Sequence, residues 1–248
     1  MFHAGKLLVL LVLASLVFTV IPSGRFAAAA EHPSRKPRMD DTIRATVYAD
    51  NWFSLYVNGD LVAVDSIAFL PHNVIAVDLL PAYPMTIAVM ARDNADPTTG
   101  MEYANSQIGD GGFILKFSDG TVTDRSWKVR VLDHGPVGGD TVNPRVQSTP
   151  PPKNWQAIDF DDRDWQQATE YPVETVRPKP PFFDHDFAGA QFIWSADILL
   201  DNAVLFRKHV LLPPDGRSRP DFTGLNDRIP QQPNGRRDQS IRRGRSAG

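Results

Sequence analysis

The stretch "WFSLYVNG" alternates apolar and polar residues and ends on Asn58-Gly59. Phe53, Leu55 and Val57 would share one face of a β-strand, because successive side chains point to opposite sides. Asn-Gly is a preferred pair for a two-residue type I′ turn, in which both central residues take positive φ. The pattern predicts a strand that enters a tight hairpin, which restricts the surrounding fold to one that contains an antiparallel sheet.

Period-two alternation continues along much of the chain, whereas the helical period is nearly absent. Turn signals rich in Gly, Pro, Asn and Asp separate the alternating runs. Many short strands divided by turns are typical of a β-sandwich. The sequence therefore predicts an all-β, antiparallel fold with at least eight strands, which include "TIRATVYA", "WFSLYVNG", "LVAVDS", "NVIAVDLL", "TIAVMARD", "GGFILKF", "WKVRVLD" and "AVLFRKHVLL".

The first 30 residues have the composition of a secretory signal peptide. Lys6 supplies a short cationic start, residues 7–21 carry no charge, and an Ala28-x-Ala30 cleavage motif precedes Glu31. The uncharged run of about fifteen residues is shorter than the roughly 20 that span a bilayer. We therefore expect a secreted or periplasmic protein with no membrane span after cleavage. An uncleaved membrane anchor is the alternative.

The chain has no cysteine. It therefore has no disulfide framework, no thiolate nucleophile and no cysteine-ligated metal. Export without disulfides favours a bacterial cell envelope over a small disulfide-stapled secreted domain. Residues 31–212 contain 16 Lys and Arg against 25 Asp and Glu, a net charge of −9. This acidity argues against nucleic acid as a partner, because affinity for nucleic acid depends on neutralising phosphates.

The C-terminal stretch has the composition of a disordered segment. From Pro213 to Gly248 it contains eight Arg and four Asp, but only four large apolar residues. Too little apolar surface is present to offset the conformational entropy lost on folding. The predicted organisation is therefore a signal peptide at 1–30, a linker at 31–42, a β-sandwich domain at 43–212 and a disordered Arg-rich tail at 213–248.

The order of several motifs resembles the galactose-binding-like jelly-roll domain found beside the catalytic parts of bacterial α-L-rhamnosidases and related glycoside hydrolases. The similarity extends from Thr42 to Leu212, nearly the whole predicted domain. It implies an antiparallel jelly-roll β-sandwich. The motifs that carry it are "FSLYVNGD", "NVIAVDLL", "TIAVMARDN", "GGFILKFSDGTVTDRSWKV", "NWQAIDFDDRDWQQA" and "AVLFRKHVLL".

The chain departs from that family in one respect that bears on function. In the rhamnosidases the chemistry belongs to a separate and much larger helical barrel, which has no counterpart in this sequence. The resemblance therefore implies a stand-alone sandwich that binds a ligand and does not catalyse hydrolysis. A shared fold does not by itself transfer an activity, so the function depends on particular side chains.

Three residues at the start of one predicted strand, Asp50, Asn51 and Trp52, could form a sugar platform. An aromatic face can stack on the C–H face of a pyranose ring while Asp and Asn bind its hydroxyls. Sites of this kind are concave and use few polar groups. The alternative is structural: Trp52 packs at the end of the sandwich, and Asp50 and Asn51 cap a bend.

The stretch from Met90 to Gly112 is predicted to contain a long polar loop. Binding residues concentrate on loops held by a rigid scaffold, and the resemblance implies that end loops of this kind line a ligand cleft. A guanidinium there can bind a carboxylate or a pair of hydroxyls. The alternative is a solvated loop with internal hydrogen bonds. The candidate ligand-binding residues in it are Arg92, Asn94, Glu102, Tyr103 and Asn105.

The acidic segment "NWQAIDFDDRDWQQA" has two interpretations. Its carboxylates could hold a structural Ca²⁺, although the sixth position is not the Gly that an EF-hand requires. The resemblance favours the other interpretation, a polar turn with Trp155 and Trp165 as core anchors. The residue pattern also predicts one capped helical turn in this segment. The carboxylates are Asp159, Asp161, Asp162 and Asp164, and either Asp161 or Asp162 would be the cap.

No residue pattern marks a catalytic site. The histidines are scattered, no Ser lies in a G-x-S-x-G elbow, and nothing distinguishes a glycosidase pair among the many carboxylates. We therefore expect an exported, non-catalytic module that binds a carbohydrate, with no cofactor other than the calcium already considered. Two alternatives stay open: a protein–protein interaction module of a cell-envelope complex, and an accessory or small glycoside hydrolase.

Overall fold

A computed structural model describes residues 35–65 and 73–223. The signal peptide predicted at 1–30 lies outside these residues. The strands are β1 (Ile43–Asp50), β2 (Trp52–Val57), β3 (Asp60–Val64), β4 (Val74–Leu79), β5 (Met85–Arg92), β6 (Met101–Glu102), β7 (Gln107–Ile108), β8 (Gly112–Phe117), β9 (Lys128–His134), β10 (Gln147–Ser148), β11 (Gln166–Gln167), β12 (Thr169–Tyr171), β13 (Phe192–Trp194) and β14 (Asp201–Val210). Helix α1 spans Val173–Val176, and short 3-10 helices span Met39–Asp41, Val137–Gly139 and Phe182–Asp184.

Two antiparallel sheets form the body, which confirms the predicted all-β architecture. One sheet has five strands in the order β12-β13-β8-β1-β4. The other has seven strands in the order β10-β9-β14-β5-β2-β3, with β11 also paired to β9. Strands β6 and β7 form a separate hairpin. None of the helices in the described part of the chain is long and apolar enough to cross a membrane.

The two sheets pack face to face around a hydrophobic core. Val47 of the five-stranded sheet and Leu55 and Val89 of the seven-stranded sheet are fully buried in it. The rings of Phe113 and Phe206, one from each sheet, stack with their centroids 5.4 Å apart. Burial of these side chains between two sheets makes the body a β-sandwich.

The predicted Asn58-Gly59 turn joins β2 to β3. The φ angles of these residues are 51° and 89°, so both are positive, as a type I′ turn requires. The Asn58 side chain also donates to the carbonyl of Ala82 at 2.9 Å and accepts from the N–H of Thr86 at 2.7 Å. The turn is thereby attached to the segment that leads into β5.

A second apolar cluster covers part of the outer face of the seven-stranded sheet. Trp155 and Trp165 are buried there against Ala88 and Leu205, which confirms their prediction as anchors. The segment that carries both tryptophans is a succession of turns that leads into β11. The predicted helical turn is therefore wrong.

Arg207 attaches this segment to the sheet and explains why no helix is capped there. Its side chain is fully buried, and Nε donates to Oδ2 of Asp162 at 2.8 Å. Its other nitrogens donate to the main-chain carbonyls of Trp155 and Ala157. Because the Asp162 carboxylate neutralises a buried guanidinium, it does not serve as a helix cap.

Residues on either side of the predicted domain also make defined contacts. Arg35 pairs with Asp41 at 2.6 Å, and its guanidinium lies 5.5 Å from the ring centroid of the buried Phe222. Asp215 and Arg219 form an ion pair of 2.5 Å. These contacts include the first residues of the predicted tail, and the rest of that tail lies outside the described residues.

Candidate functional site

Trp52 and Arg92 are cross-strand neighbours at one end of the seven-stranded sheet. Since Phe53 points into the core, Trp52 points to the outer face by strand alternation. Arg92 lies on the same face, and its Nη2 is 3.6 Å from Oδ2 of Asp133 on β9. We call Trp52, Arg92 and Asp133 the outer row.

The outer row is the open end of a sheet face that is covered elsewhere. Trp155 and Trp165 shield the part of the face around Leu205. In contrast, the Arg92 side chain is 52% exposed and Trp52 is partly exposed. An aromatic ring therefore stands beside a cation and an acid on an accessible surface, where one ligand can find stacking, donors and an acceptor.

Asn51 and Asn94 connect the two strands that carry Trp52 and Arg92. The buried Asn51 side chain accepts a hydrogen bond of 2.6 Å from the N–H of Asn94. The N–H of Asn51 donates to the carbonyl of Arg92 at 2.8 Å. Asn51 thus joins the β1–β2 connection to the end of β5, and its side chain is used within the fold.

Tyr103 and Asn105 lie at the tip of the β6–β7 hairpin. Three successive residues there, from Tyr103 through Asn105, have positive φ. Tyr103 is exposed. Asn105 accepts a hydrogen bond of 2.5 Å from the hydroxyl of Thr99, so its amide is engaged within the loop.

Asp50 and Glu102 belong to a group of four carboxylates at the same end of the sandwich as the outer row. Asp50 ends β1, Asp93 follows β5, Glu102 lies on β6 and Asp110 precedes β8. The exposed fractions are 6% for Asp50, 8% for Asp93 and 7% for Glu102, so three of the four are nearly inaccessible. We call Asp50, Asp93, Glu102 and Asp110 the carboxylate cluster.

The pKa values in the carboxylate cluster are raised because burial removes water from acids that lie near one another. Burial and the charges of Asp110 and Glu102 raise the pKa of Asp50 to about 7. Burial and the neighbouring Glu102 carboxyl raise the pKa of Asp93 well above its usual value. Burial also raises the pKa of Glu102 and that of Asp110.

Two hydrogen-bonded chains of catalytic residue types occur among the described residues, and neither presents an accessible, activated nucleophile. Ser195 donates to Asp201 at 2.5 Å, and the other oxygen of Asp201 lies 2.7 Å from His134, so the serine is not bonded to the imidazole. Thr86 Oγ1 lies 3.1 Å from Nδ1 of His209, but Thr86 is buried. A nucleophile needs both a bonded base and access to the substrate.

Two of the four carboxylates considered for calcium form ion pairs. Asp161 lies 2.6 Å from Arg163, and Asp162 lies 2.8 Å from Arg207. Within residues 35–65 and 73–223, no three His, Asp or Glu side chains are grouped so that they could hold a metal ion. The described contacts of this segment attach it to itself and to the sheet.

A groove of about 800 Å³ lies at the opposite end of the sandwich from Asp50. Leu79 and Phe222 are among its lining residues, and β1 begins opposite Leu79 and ends at Asp50. The lining contains no residue of the outer row or of the carboxylate cluster. The groove and the candidate site are therefore separate features.

No pattern in the sequence marks Asp133, and none connects Asp93 or Asp110 with Asp50. Asp133 is on β9 and Arg92 is on β5, and β14 lies between these strands in the sheet. Strand order of this kind is not visible in a single sequence. The acids at the two ends of the polar loop were visible, but the approach of Asp110 to Asp50 depends on the pairing of β1 with β8, and that of Asp93 on the pairing of β5 with β2.

The outer row and the carboxylate cluster contain four of the eight predicted ligand-binding residues, Trp52 and Arg92 in the first and Asp50 and Glu102 in the second. The other four belong to connections at the same end of the sandwich. These two groups are the structural basis for a functional proposal. The chain matches no protein-family model, and neither a curated protein nor a solved structure shows significant similarity to it.

Proposed function

We propose that the protein is a non-catalytic module that binds a carbohydrate through the outer row. The observation that carries this proposal is the partly exposed Trp52 beside Arg92, which is itself paired with Asp133, on the open end of a sheet face. An exposed aromatic next to complementary polar groups is the arrangement that sugar recognition requires, because a sugar ring has an apolar C–H face and a rim of hydroxyls.

Each residue of the outer row would make a different kind of contact with a sugar. The Trp52 ring has a negative face that attracts the C–H groups of a pyranose. The Arg92 guanidinium has several N–H donors in a fixed plane and can hold two hydroxyl oxygens. The Asp133 carboxylate accepts hydrogen bonds from hydroxyls and keeps Arg92 in place from 3.6 Å. None of these roles requires bond cleavage, which suits a module that binds and does not catalyse.

The finer features of this proposal are a galactose-binding-like jelly-roll fold and export to the periplasm or the exterior. The antiparallel two-sheet sandwich is the support for the fold. The composition of residues 1–30 and the absence of cysteine are the support for export. A bacterial cell envelope would then supply the glycan.

Replacing Trp52 with Ala should weaken glycan binding about thirtyfold, and replacing Arg92 with Ala should weaken it about tenfold, as expected for central contacts of a binding surface. The ligand would be found by a screen of the purified protein on plant, algal and bacterial glycans. Isothermal titration calorimetry would then give the affinity of each variant for the best glycan.

The matched controls are Phe183→Ala and Arg44→Ala. Phe183 is an exposed aromatic outside the outer row. Arg44 is 59% exposed and paired with Asp78 across two strands, which reproduces the exposure and pairing of Arg92. Equal losses in the controls and in the outer-row variants would contradict the proposal. So would the absence of any glycan ligand, and protein–protein recognition would then be the function to test.

A further inference from the structure

The Asp93 and Glu102 side chains are buried beside each other in the carboxylate cluster. Oδ1 of Asp93 accepts a hydrogen bond of 2.6 Å from the N–H of Asn94. Oδ2 of Asp93 is buried and has no nitrogen or hydroxyl donor among the described residues, and the group that it faces is the Glu102 carboxyl. Two carboxyls form a hydrogen bond only when one of them is protonated.

The β6–β7 hairpin closes directly over this pair. Glu102 is on β6, and Gly109 follows β7. A Cβ atom at Gly109 would lie 1.9 Å from Oδ2 of Asp93 and 3.2 Å from Cγ of Glu102. The main chain at Gly109 is therefore packed against both acid side chains.

The charged and titratable groups around the pair come from several elements. Arg177 Nη2 lies 3.7 Å from Oδ2 of Asp110, so this cation is paired with an acid at the edge of the cluster. Lys179 also acts on Asp110 and on Asp50. The surrounding groups are the acids Asp50 and Asp110, the cations Arg177 and Lys179, and the phenols Tyr48 and Tyr103.

We propose that the carboxylate cluster is a proton-operated latch, which holds the β6–β7 hairpin against the sandwich while Asp93 and Glu102 share a proton and releases it when that proton is lost. The release follows from two adjacent negative charges in a site that excludes water, where repulsion is strong. Closure by protonation needs no ligand, so the latch can be tested on the protein alone.

The latch also regulates the outer row, and this part rests on the proposed function. Asp93 follows Arg92 directly in the chain, and Asn94 donates to the side chain of Asn51, which precedes Trp52. Movement of the chain at Asp93 therefore changes the spacing of Arg92 and Trp52. We expect glycan affinity to be higher at acidic pH, where the hairpin is closed.

The direction of the pH effect follows from the raised pKa values. A carboxyl whose pKa is higher in the folded protein than in the unfolded chain stabilises the fold when protonated. This stability is fully present below the usual carboxyl range, about pH 4. It is lost as the pH rises through the folded pKa, which is about 7 for Asp50 and well above the usual value for Asp93.

Amide hydrogen exchange of residues 101–108 at about pH 5 and about pH 8 tests the latch, with protection factors used to remove the intrinsic pH dependence of exchange. The protection of the hairpin should fall at least about tenfold between these pH values, the equivalent of one unit of pKa shift. In Asp93→Asn and Glu102→Gln, the amide donates to the remaining carboxylate without a shared proton, so protection should stay high at both pH values.

Asp60→Asn is the control, because Asp60 is an exposed carboxyl on β3, outside the cluster. It should retain the pH dependence of the unmodified protein. Equal protection at both pH values in the unmodified protein, or an unchanged pH dependence in Asp93→Asn, would overturn the latch. Equal glycan affinity at both pH values despite hairpin opening would overturn its link to the outer row. Absence of glycan binding at both pH values would overturn the proposed function and leave the latch intact.

Discussion

Arg207→Met should lower the free energy of unfolding by about 3 to 5 kcal/mol, measured by denaturant unfolding. Arg207 is fully buried and pairs with Asp162 at 2.8 Å. Removal of the guanidinium leaves the Asp162 carboxylate without its guanidinium partner, although Nε2 of His209 stays 3.1 Å away, and removes a side-chain donor from the carbonyls of Trp155 and Ala157. Loss of the charge-neutralising cation and of its hydrogen bonds in a buried site is the physical reason for the large effect.

Arg163→Met is the matched control for this prediction. Arg163 belongs to the same segment and pairs with Asp161 at 2.6 Å, but both side chains are exposed. Solvent screens such a pair, so its removal should leave the unfolding transition nearly unchanged. A similar loss in both variants would show that the segment is held by something other than Arg207. Detachment of the segment would expose the Trp155 and Trp165 indoles, and fluorescence quenching would detect that exposure directly.

Gly100→Ala should destabilise the protein by more than about 3 kcal/mol, because a new side chain there meets main chain rather than a movable side chain. A Cβ atom at Gly100 would lie 2.4 Å from the carbonyl carbon of Gly135 and 2.7 Å from its oxygen. The buried Asn202 amide donates to the carbonyl of Gly135 at 2.9 Å, which helps to hold that carbonyl in place beside Gly100. Thermal or denaturant unfolding measures the loss.

Gly138→Ala separates the contact from the backbone conformation. Gly138 has φ of 69°, nearly the same as the 72° of Gly100, but no atom lies within 4 Å of its Cβ position. Only the left-handed conformation is then penalised, which amounts to about 1 kcal/mol. If the two variants were equally destabilised, the contact between Gly100 and Gly135 would not be as tight as the structure shows.

The long strands were predictable because each has a pattern of its own. In β2, Phe53 and Leu55 alternate with residues of the outer face, and the Asn58-Gly59 pair sets the turn that follows. Strands of two or three residues, such as β6, β12 and β13, are too short to show a period. Their existence depends on partners that come from distant parts of the chain.

The division of the candidate site into two groups was not predictable for a related reason. Asp50 and Trp52 are two residues apart, but β1 belongs to one sheet and β2 to the other. The chain changes sheets at Asn51, so Asp50 turns toward Glu102 while Trp52 turns to the outer face. Arg92 is the last residue of β5, and Asp93 follows it outside the sheet. A single sequence shows that these residues are close in the chain, but not that their side chains belong to different groups.

Among the described residues, β14 is the last strand of the sandwich to be synthesised, and it lies between β5 and β9 in the seven-stranded sheet. Until Val210 has left the ribosome, β5 and β9 each have an edge with open backbone donors and acceptors, and such edges pair readily with other chains. The surfaces that Leu205 and Phe206 later bury stay exposed to solvent during the same interval. The seven-stranded sheet therefore cannot close until nearly all of the described chain has been synthesised, and a chaperone could bind the open edges in that interval.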